Sequence, residues 1–154
     1  MENDILDKKY VIENGIDFDN LWGEYCSDRI LDNPADEGGN PFTGLSYELY
    51  NNGQLIYYSF YREGFPNGDY ANFYKNNNIK SRQYMEYGRI TGKKEVWFEN
   101  GNLKSVGEYE LSFCLKLKEW DCEGKLIKEQ LAPTEEDINS LKRERAWSKR
   151  IGRH

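Results

Sequence analysis

The sequence has a single histidine, and it is the last residue, His154. Nucleophilic catalysis by Ser/His or Cys/His arrangements needs an imidazole oriented by a third group, and a chain terminus offers poor support for one. The three cysteines, Cys26, Cys114 and Cys122, include no C-x-x-C pair and are odd in number. That argues against the disulfide framework of a short secreted domain and for reduced thiols in the cytoplasm. Zinc sites built from Cys and His are short of ligands, and no G-x-x-x-x-G-K-[ST] phosphate loop occurs. No cofactor is therefore expected. No apolar run approaches the ~20 residues of a membrane span. The start, MENDILDKK, is acidic and lacks the cationic start and apolar run of a signal peptide.

Proline is scarce too, with 4 in 154 residues, whereas there are 12 tyrosines, 7 phenylalanines, 4 tryptophans and 14 glycines. Aromatic-rich, glycine-punctuated, proline-poor composition points to β-structure. The length fits one domain, with room for a small appendage. Net charge is −6 and the pI about 5.0, so a global electrostatic grip on nucleic acid is disfavoured. The charge is unevenly placed: residues 1–40 carry −8 and residues 142–154 carry +5. Such ends pair with each other, face different partners, or simply keep the chain soluble.

A repeat runs through the middle of the chain. Gly44, Gly68 and Gly92 recur every 24 residues. Leu49, Phe73, Trp97 and Trp120 share one position, Gly53, Asn77, Gly101 and Gly124 a turn position, and Leu55, Ile79, Leu103 and Leu126 the position two residues later. The four units are 41–64, 65–88, 89–111 and 112–131. Asn52–Gly53 and Asn100–Gly101 read as two-residue type I′ hairpin turns, in which both central residues take positive φ. Asn76–Asn77 and Glu123–Gly124 are weaker signals of the same kind. This register sets Tyr50 opposite Leu55, Tyr74 opposite Ile79 and Phe98 opposite Leu103 on one face. It turns Leu49, Phe73, Trp97 and Trp120 to the other. With apolar columns on both faces, the sheet must curl or be covered by its flanks. The stretches Gly64 to Gly68 and Gly88 to Gly92 read as loops between units.

The pattern aromatic-x-N-G-x-L-K-S-x-G-x-Y, clearest in WFENGNLKSVGEY from Trp97 to Tyr109, resembles the variant MORN repeat. PFTGLSYELYNNGQL, with Asn52, Gly53 and Leu55, is similar to the way arrays of that family begin. The second unit departs from the pattern, with Asn77 for the turn glycine and Arg82 and Gln83 where the third has Val106 and Gly107. A short N-terminal segment, a few repeats and a short tail together resemble bacterial YwqK-type antitoxins. The resemblance implies a mainly β fold, an antiparallel meander of repeated β-hairpins with a short C-terminal α-helix. It also implies an immunity protein whose partner is a polymorphic toxin of the LXG kind, encoded by an adjacent gene and acting on nucleic acid. No interface residue follows from family membership.

Residues 1–40 do not repeat. Tyr10 to Gly15 reads as a degenerate strand and turn, and Leu21, Trp22 and Tyr25 are apolar anchors in acidic surroundings. Loop signals at Asn33–Pro34 and residues 38–41 separate this segment from the array. Its expected role is to cap the first repeat and hide the sheet edge. In residues 134–154, Thr134 with Asp137 resembles a capping box. Glu135, Glu136 and Asp137 precede Lys142, Arg143 and Arg145, an order that complements a helix dipole. Ile138, Leu141 and Arg145 or Ala146 share one helical face, Trp147 is placed to dock on the sheet, and the end after Ser148 is expected to fray.

These segments divide the chain into an acidic cap (1–40), a hairpin array (41–133) and a helix with a basic tail (134–154). The reading is a non-enzymatic, cytoplasmic binding protein that neutralises a toxin by occlusion. A nucleic-acid enzyme has a basic cleft that an acidic protein can occupy, and complementary potentials raise association rates by ~10–1000-fold. The candidate toxin interface comprises Asp17, Asp19, Glu24 and Asp28 from the acidic segment with Tyr57, Tyr61 and Tyr84 from the array. The acids supply the potential, and tyrosines suit interface anchors, although for any single one sheet packing is the favoured role. The competing reading is a repeat scaffold or peptide-binding module that uses the repeat surface or an unpaired sheet edge. Carboxylates are plentiful enough for two-carboxylate glycoside hydrolysis, but nothing singles out a pair. Binding to anionic membranes is opposed by the net charge, and direct nucleic-acid binding by a short basic tail lacks a frame that reads a groove.

Overall fold

The computed structural model describes residues 4–153; residues 1–3 and His154 lie outside the described residues. The elements in chain order are α1 (Lys8–Asn14), β1 (Ile16–Asp17), β2 (Trp22–Gly23), β3 (Ile30–Leu31), β4 (Gly44–Leu49), β5 (Leu55–Arg62), β6 (Phe65–Phe73), β7 (Ile79–Glu86), β8 (Arg89–Trp97), β9 (Leu103–Glu110), β10 (Phe113–Trp120), β11 (Leu126–Gln130) and α2 (Glu135–Arg150). One sheet has the order β1-β4-β5-β6-β7-β8-β9-β10-β11, and β2 and β3 form a separate small hairpin. From β4 onward every neighbour is antiparallel and consecutive in the chain, the expected meander of hairpins; β1 alone joins in parallel, with Ile16 beside Ser46 and Asp17 beside Tyr47.

The two kinds of turn are exchanged relative to the expectation. At Asn52–Gly53 the Tyr50 N–H donates to the Gln54 carbonyl (2.8 Å), and the Gly53 N–H returns to the Tyr50 carbonyl (2.9 Å). Only the second residue of each pair is left-handed: Gly53 at φ 81°, Asn77 at 72°, Gly101 at 94° and Gly124 at 88°. The preceding asparagine uses its side chain instead, and Asn52 Oδ1 accepts from the Gln54 N–H (3.0 Å). Asn76 and Asn100 repeat this contact. Asn-Gly thus closes a longer turn with a bulge. The two-residue turns with both φ values positive lie at the other end of the sheet. They are Glu63–Gly64 (51°, 87°), Tyr87–Gly88 (47°, 78°) and Leu111–Ser112 (49°, 67°). Gly68 and Gly92 are accordingly strand residues of β6 and β8, and the loops expected there do not exist.

The longer turn also shifts the cross-strand register. Leu49 lies opposite Leu55, Phe73 opposite Ile79, Trp97 opposite Leu103 and Trp120 opposite Leu126. These four pairs form one apolar stripe on one face, and Tyr50, Tyr74 and Phe98 belong to the turns. Part of that face is closed by α1: Val11, fully buried, packs with Leu45, Leu55, Tyr58, Ala71 and Phe73. Burying side chains such as Leu55 and Tyr58, each 2% exposed, contributes about 1.5–3 kcal/mol apiece. The helix replaces the strand expected at Tyr10 to Gly15, because Asp7 caps it by accepting from the Tyr10 N–H (2.9 Å).

The opposite face carries Tyr57, Tyr61 and Tyr70. The segment between β1 and β4 covers it, with the Phe18 ring edge-on to Tyr57 (6.2 Å between centroids) and Phe42 5.8 Å from Tyr61. At the far end of the chain, Thr134 caps α2 as expected, its Oγ1 accepting from the Asp137 N–H (3.1 Å). Leu141 is buried. The end beyond Ser148 is docked rather than frayed. Gly152 is left-handed (φ 78°), the Arg153 N–H reaches the Ser148 carbonyl (2.7 Å), and the Arg153 guanidinium lies over Phe65 (5.1 Å) and Tyr87 (4.6 Å). Trp147 lies on α2, half-exposed.

Candidate partner-binding surface

The strand β1 positions the first acidic residues. Asp17 ends β1 and caps the short 3-10 turn that follows, its Oδ1 accepting from the Asp19 N–H (3.0 Å). Asp19 is exposed. Both carboxylates act on Glu48, which lies opposite Tyr57 in the sheet. The Glu48 carboxyl is pushed above its ordinary value, first by partial burial and then by the negative charges of Asp19 and Asp17. Asp17, Asp19 and Glu48 therefore form one acidic cluster. Glu48 escaped the sequence reading because its face follows from the bulged turn register.

Glu24 and Asp28 lie in the loop between β2 and β3. Glu24 faces Arg29 at 3.8 Å, and its N–H donates to the Arg29 carbonyl (2.9 Å). Asp28 is exposed.

The tyrosines divide differently from the expectation. Tyr57 and Tyr61 are buried, at 9% and 8% exposure. They are the floor under Phe18 and Phe42, so neither offers surface to a partner. Tyr57 stacks on Tyr70 at 5.6 Å, and burial pushes the phenols of Tyr57, Tyr61 and Tyr70 up. Tyr84 is exposed, at 46%. It pairs with Asp69 and is two residues from Arg82, which pairs with Ala71 of the α1-covered face. Tyr84 thus lies on the face opposite Tyr57, and the seven expected residues do not form one patch.

A concavity of about 370 Å³ lies between α2 and the turns at Tyr87 and Leu111, lined among others by Arg89, Glu110, Glu144, Arg145, Trp147 and Arg153. Two ion pairs of opposite polarity clamp the helix there. Arg89 meets Glu144 at 2.9 Å, and the Arg145 guanidinium grips Glu110 with both Nε and Nη2, the latter at 2.8 Å. The basic end is therefore partly neutralised by the sheet. Among the described residues, no three His, Cys, Asp or Glu side chains are grouped to hold a metal ion, and no helix is long and apolar enough to cross a membrane.

Part of the chain resembles a known immunity protein. The relative is Immunity protein YwqK of Bacillus subtilis (strain 168), 56% identical over 68 residues. The match covers 44% of this chain and 44% of that protein, so it spans less than half of the relative's length. No family model matches the chain, and no solved structure matches it.

Proposed function

We propose that this protein is an immunity protein that binds a cognate protein toxin and neutralises it by occlusion. The observation that carries the reading is the 56% identity over 68 residues with a protein named for immunity. Under this reading the hairpin units are variant MORN repeats, residues 1–40 cap the array of 41–133, and residues 134–154 form a C-terminal helix and basic tail. The toxin is of the LXG kind, is encoded by an adjacent gene, and acts on nucleic acid; inhibition takes place in the cytoplasm and needs no catalysis.

The electrostatics support the choice of target. An enzyme that acts on nucleic acid presents basic side chains to phosphates. The cluster of Asp17, Asp19 and Glu48 offers the opposite charge where β4 meets residues 1–40, a segment of net charge −8 that also holds Asp28. Burial and then repulsion raise Glu48, and cationic neighbours would relieve the repulsion.

The test is co-purification of the protein with the product of the adjacent gene, followed by binding kinetics across a salt series. A stable complex whose association slows with salt, and slows further in Asp17→Asn/Asp19→Asn, is expected. Absence of a complex overturns the reading. A complex that leaves the bound protein's activity intact replaces it with a scaffold.

A further inference from the structure

The end of α2 is folded back by its own cap. Gly152 is left-handed (φ 78°), its N–H donates to the Lys149 carbonyl (3.3 Å), and the Arg153 N–H donates to the Ser148 carbonyl (2.7 Å). This is the Schellman arrangement, in which the two residues after the helix cap return to its last turn. It brings the Arg153 guanidinium to 4.6 Å from the centre of the Tyr87 ring and 5.1 Å from that of Phe65. Stacking on a ring fixes the plane of a guanidinium but uses none of its in-plane N–H donors. Among the described residues the Arg153 side chain has these aromatic contacts but no hydrogen-bond acceptor and no carboxylate partner.

The same residue lines the concavity of about 370 Å³ between α2 and the sheet, a volume in the range of small-ligand pockets. The apolar part of the lining is Tyr87, Leu111, Trp147 and Ile151. Trp147 and Ile151 are 53% and 42% exposed, whereas Leu141 of the same helix is 4% exposed. Two large apolar side chains at the end of the helix thus stand open to solvent in the wall of a cavity.

The charges of the lining decide what fits. Arg145 grips Glu110, and Arg89 meets Glu144 at 2.9 Å and stands directly across the sheet from Glu86. A cationic ligand would compete with Arg89 and Arg145 for these acids. Lys149 and Arg153 are the lining bases that meet no carboxylate of the described residues. An anion therefore leaves both ion pairs intact and supplies acceptors to the two remaining cations. The indole of Trp147 and the phenol ring of Tyr87 offer flat apolar surface beside those cations.

We propose that this concavity binds a small organic anion with an aromatic body. The anionic group sits at Lys149 and Arg153, and the ring lies against Trp147 and Ile151. A carboxylate matches the fork of the guanidinium, which accepts it bidentately. Gly152 is a positioning residue, because its left-handed turn brings Arg153 over Tyr87. The site shares no residue with the cluster of Asp17, Asp19 and Glu48 and does not rest on the immunity reading.

The test uses the complete protein and two probes of one shape, 2-naphthoate and its neutral amide. Binding is followed through the indole N–H resonance of Trp147, assigned with Trp147→Phe. Saturable binding of the acid, one per chain, is expected with a dissociation constant of about 1 mM or below, as drug-like efficiency gives for a probe of this size. The amide is expected to bind roughly fivefold more weakly, because it leaves the two cations without a charged partner. Arg153→Ala is expected to reduce affinity for the acid to that of the amide. Gly152→Ala is expected to weaken the acid too: its added carbon meets nothing within 4 Å, so it acts through strain in the left-handed turn. Unchanged melting curves verify that both variants fold. No saturation by about 10 mM acid overturns the proposal. Equal affinity for acid and amide overturns it, and so does full affinity for the acid in Arg153→Ala. Should that variant fail to fold, the comparison of acid with amide on the parent protein decides alone. A short peptide ending in phenylalanine with a free carboxylate identifies the source of the anion. Binding tighter than that of naphthoate supports the site as one for a protein chain end, and weaker binding supports it as one for a free acid.

Discussion

The Tyr74 hydroxyl donates to the Trp97 carbonyl, 2.8 Å away and one hairpin further along the sheet. Tyr50 makes the same bond to Phe73, also at 2.8 Å. Beside this ladder runs a second one: Asn52 Nδ2 reaches the Lys75 carbonyl, Asn76 and Asn78 reach that of Glu99, and Asn102 reaches that of Cys122. The turns of successive units are thus joined by side chains at the period of the repeat. Lys75, Lys80 and Lys104 lie over the rings of Tyr50, Tyr74 and Phe98.

The third unit has Phe98 where the first two have tyrosine, so the hydroxyl ladder stops there. Tyr74→Phe is expected to cost about 0.5–1.5 kcal/mol, the net worth of one hydrogen bond. Phe98→Tyr restores a rung toward the Trp120 carbonyl and is expected to gain a similar amount. Urea unfolding of the two variants measures both signs.

Asn77 holds φ 72° in the turn position that is glycine in the other three units. Asparagine tolerates the left-handed region better than most residues, and glycine better still. Asn77→Gly is expected to raise stability by up to ~1 kcal/mol, read as a higher denaturation midpoint at unchanged slope.

The hydrogen bond from Arg145, reinforced by its charge, holds the Glu110 carboxyl below the usual glutamate range. A depressed carboxyl binds its proton less tightly in the folded state. Its contribution to stability is therefore full above the ordinary glutamate value and is lost as the pH falls through the lowered one. Glu110→Gln should be less stable than the parent at neutral pH, and the difference should close in acid. Melting curves across pH check this; a gap that persists in acid assigns the loss to packing.

The phenols of the buried Tyr57, Tyr58 and Tyr61 and of the partly buried Tyr70 are raised, mainly by desolvation. The folded state keeps them protonated, so this contribution is present below the ordinary tyrosine value and lost as the pH rises beyond it. In alkaline titration, a fraction of the phenolate absorbance should appear only together with loss of the β-sheet signal.

The period of the array and the identity and cap of α2 were legible in the sequence, because glycine spacing and the Thr134–Asp137 pair report local geometry. The turn type was not. Asn-Gly satisfies both a type I′ turn and a bulged turn closed by the asparagine side chain, and only the register of Leu49 with Leu55 separates them. The true two-residue turns include Leu111–Ser112, a pair with no intrinsic preference for positive φ, held by its neighbours: the Ser112 N–H donates to the Ile90 carbonyl, and the Ser112 hydroxyl accepts from the Ile90 N–H. At the candidate surface, Asp17 and Asp19 were legible as acids. Burial of Tyr57 and Tyr61 was not, since it depends on Phe18 and Phe42 arriving from a segment with no repeat pattern. The same holds for α1, where Asp7 outweighs the β-branched Val11 and Ile12.

Neutralisation of a toxin encoded beside this protein is visible directly in growth. The direct measurement is growth of cells expressing the adjacent gene's product, with and without this protein. Arrest with the product alone and growth restored when the two are expressed together are expected. Arrest that persists despite equal expression of the folded protein would contradict it.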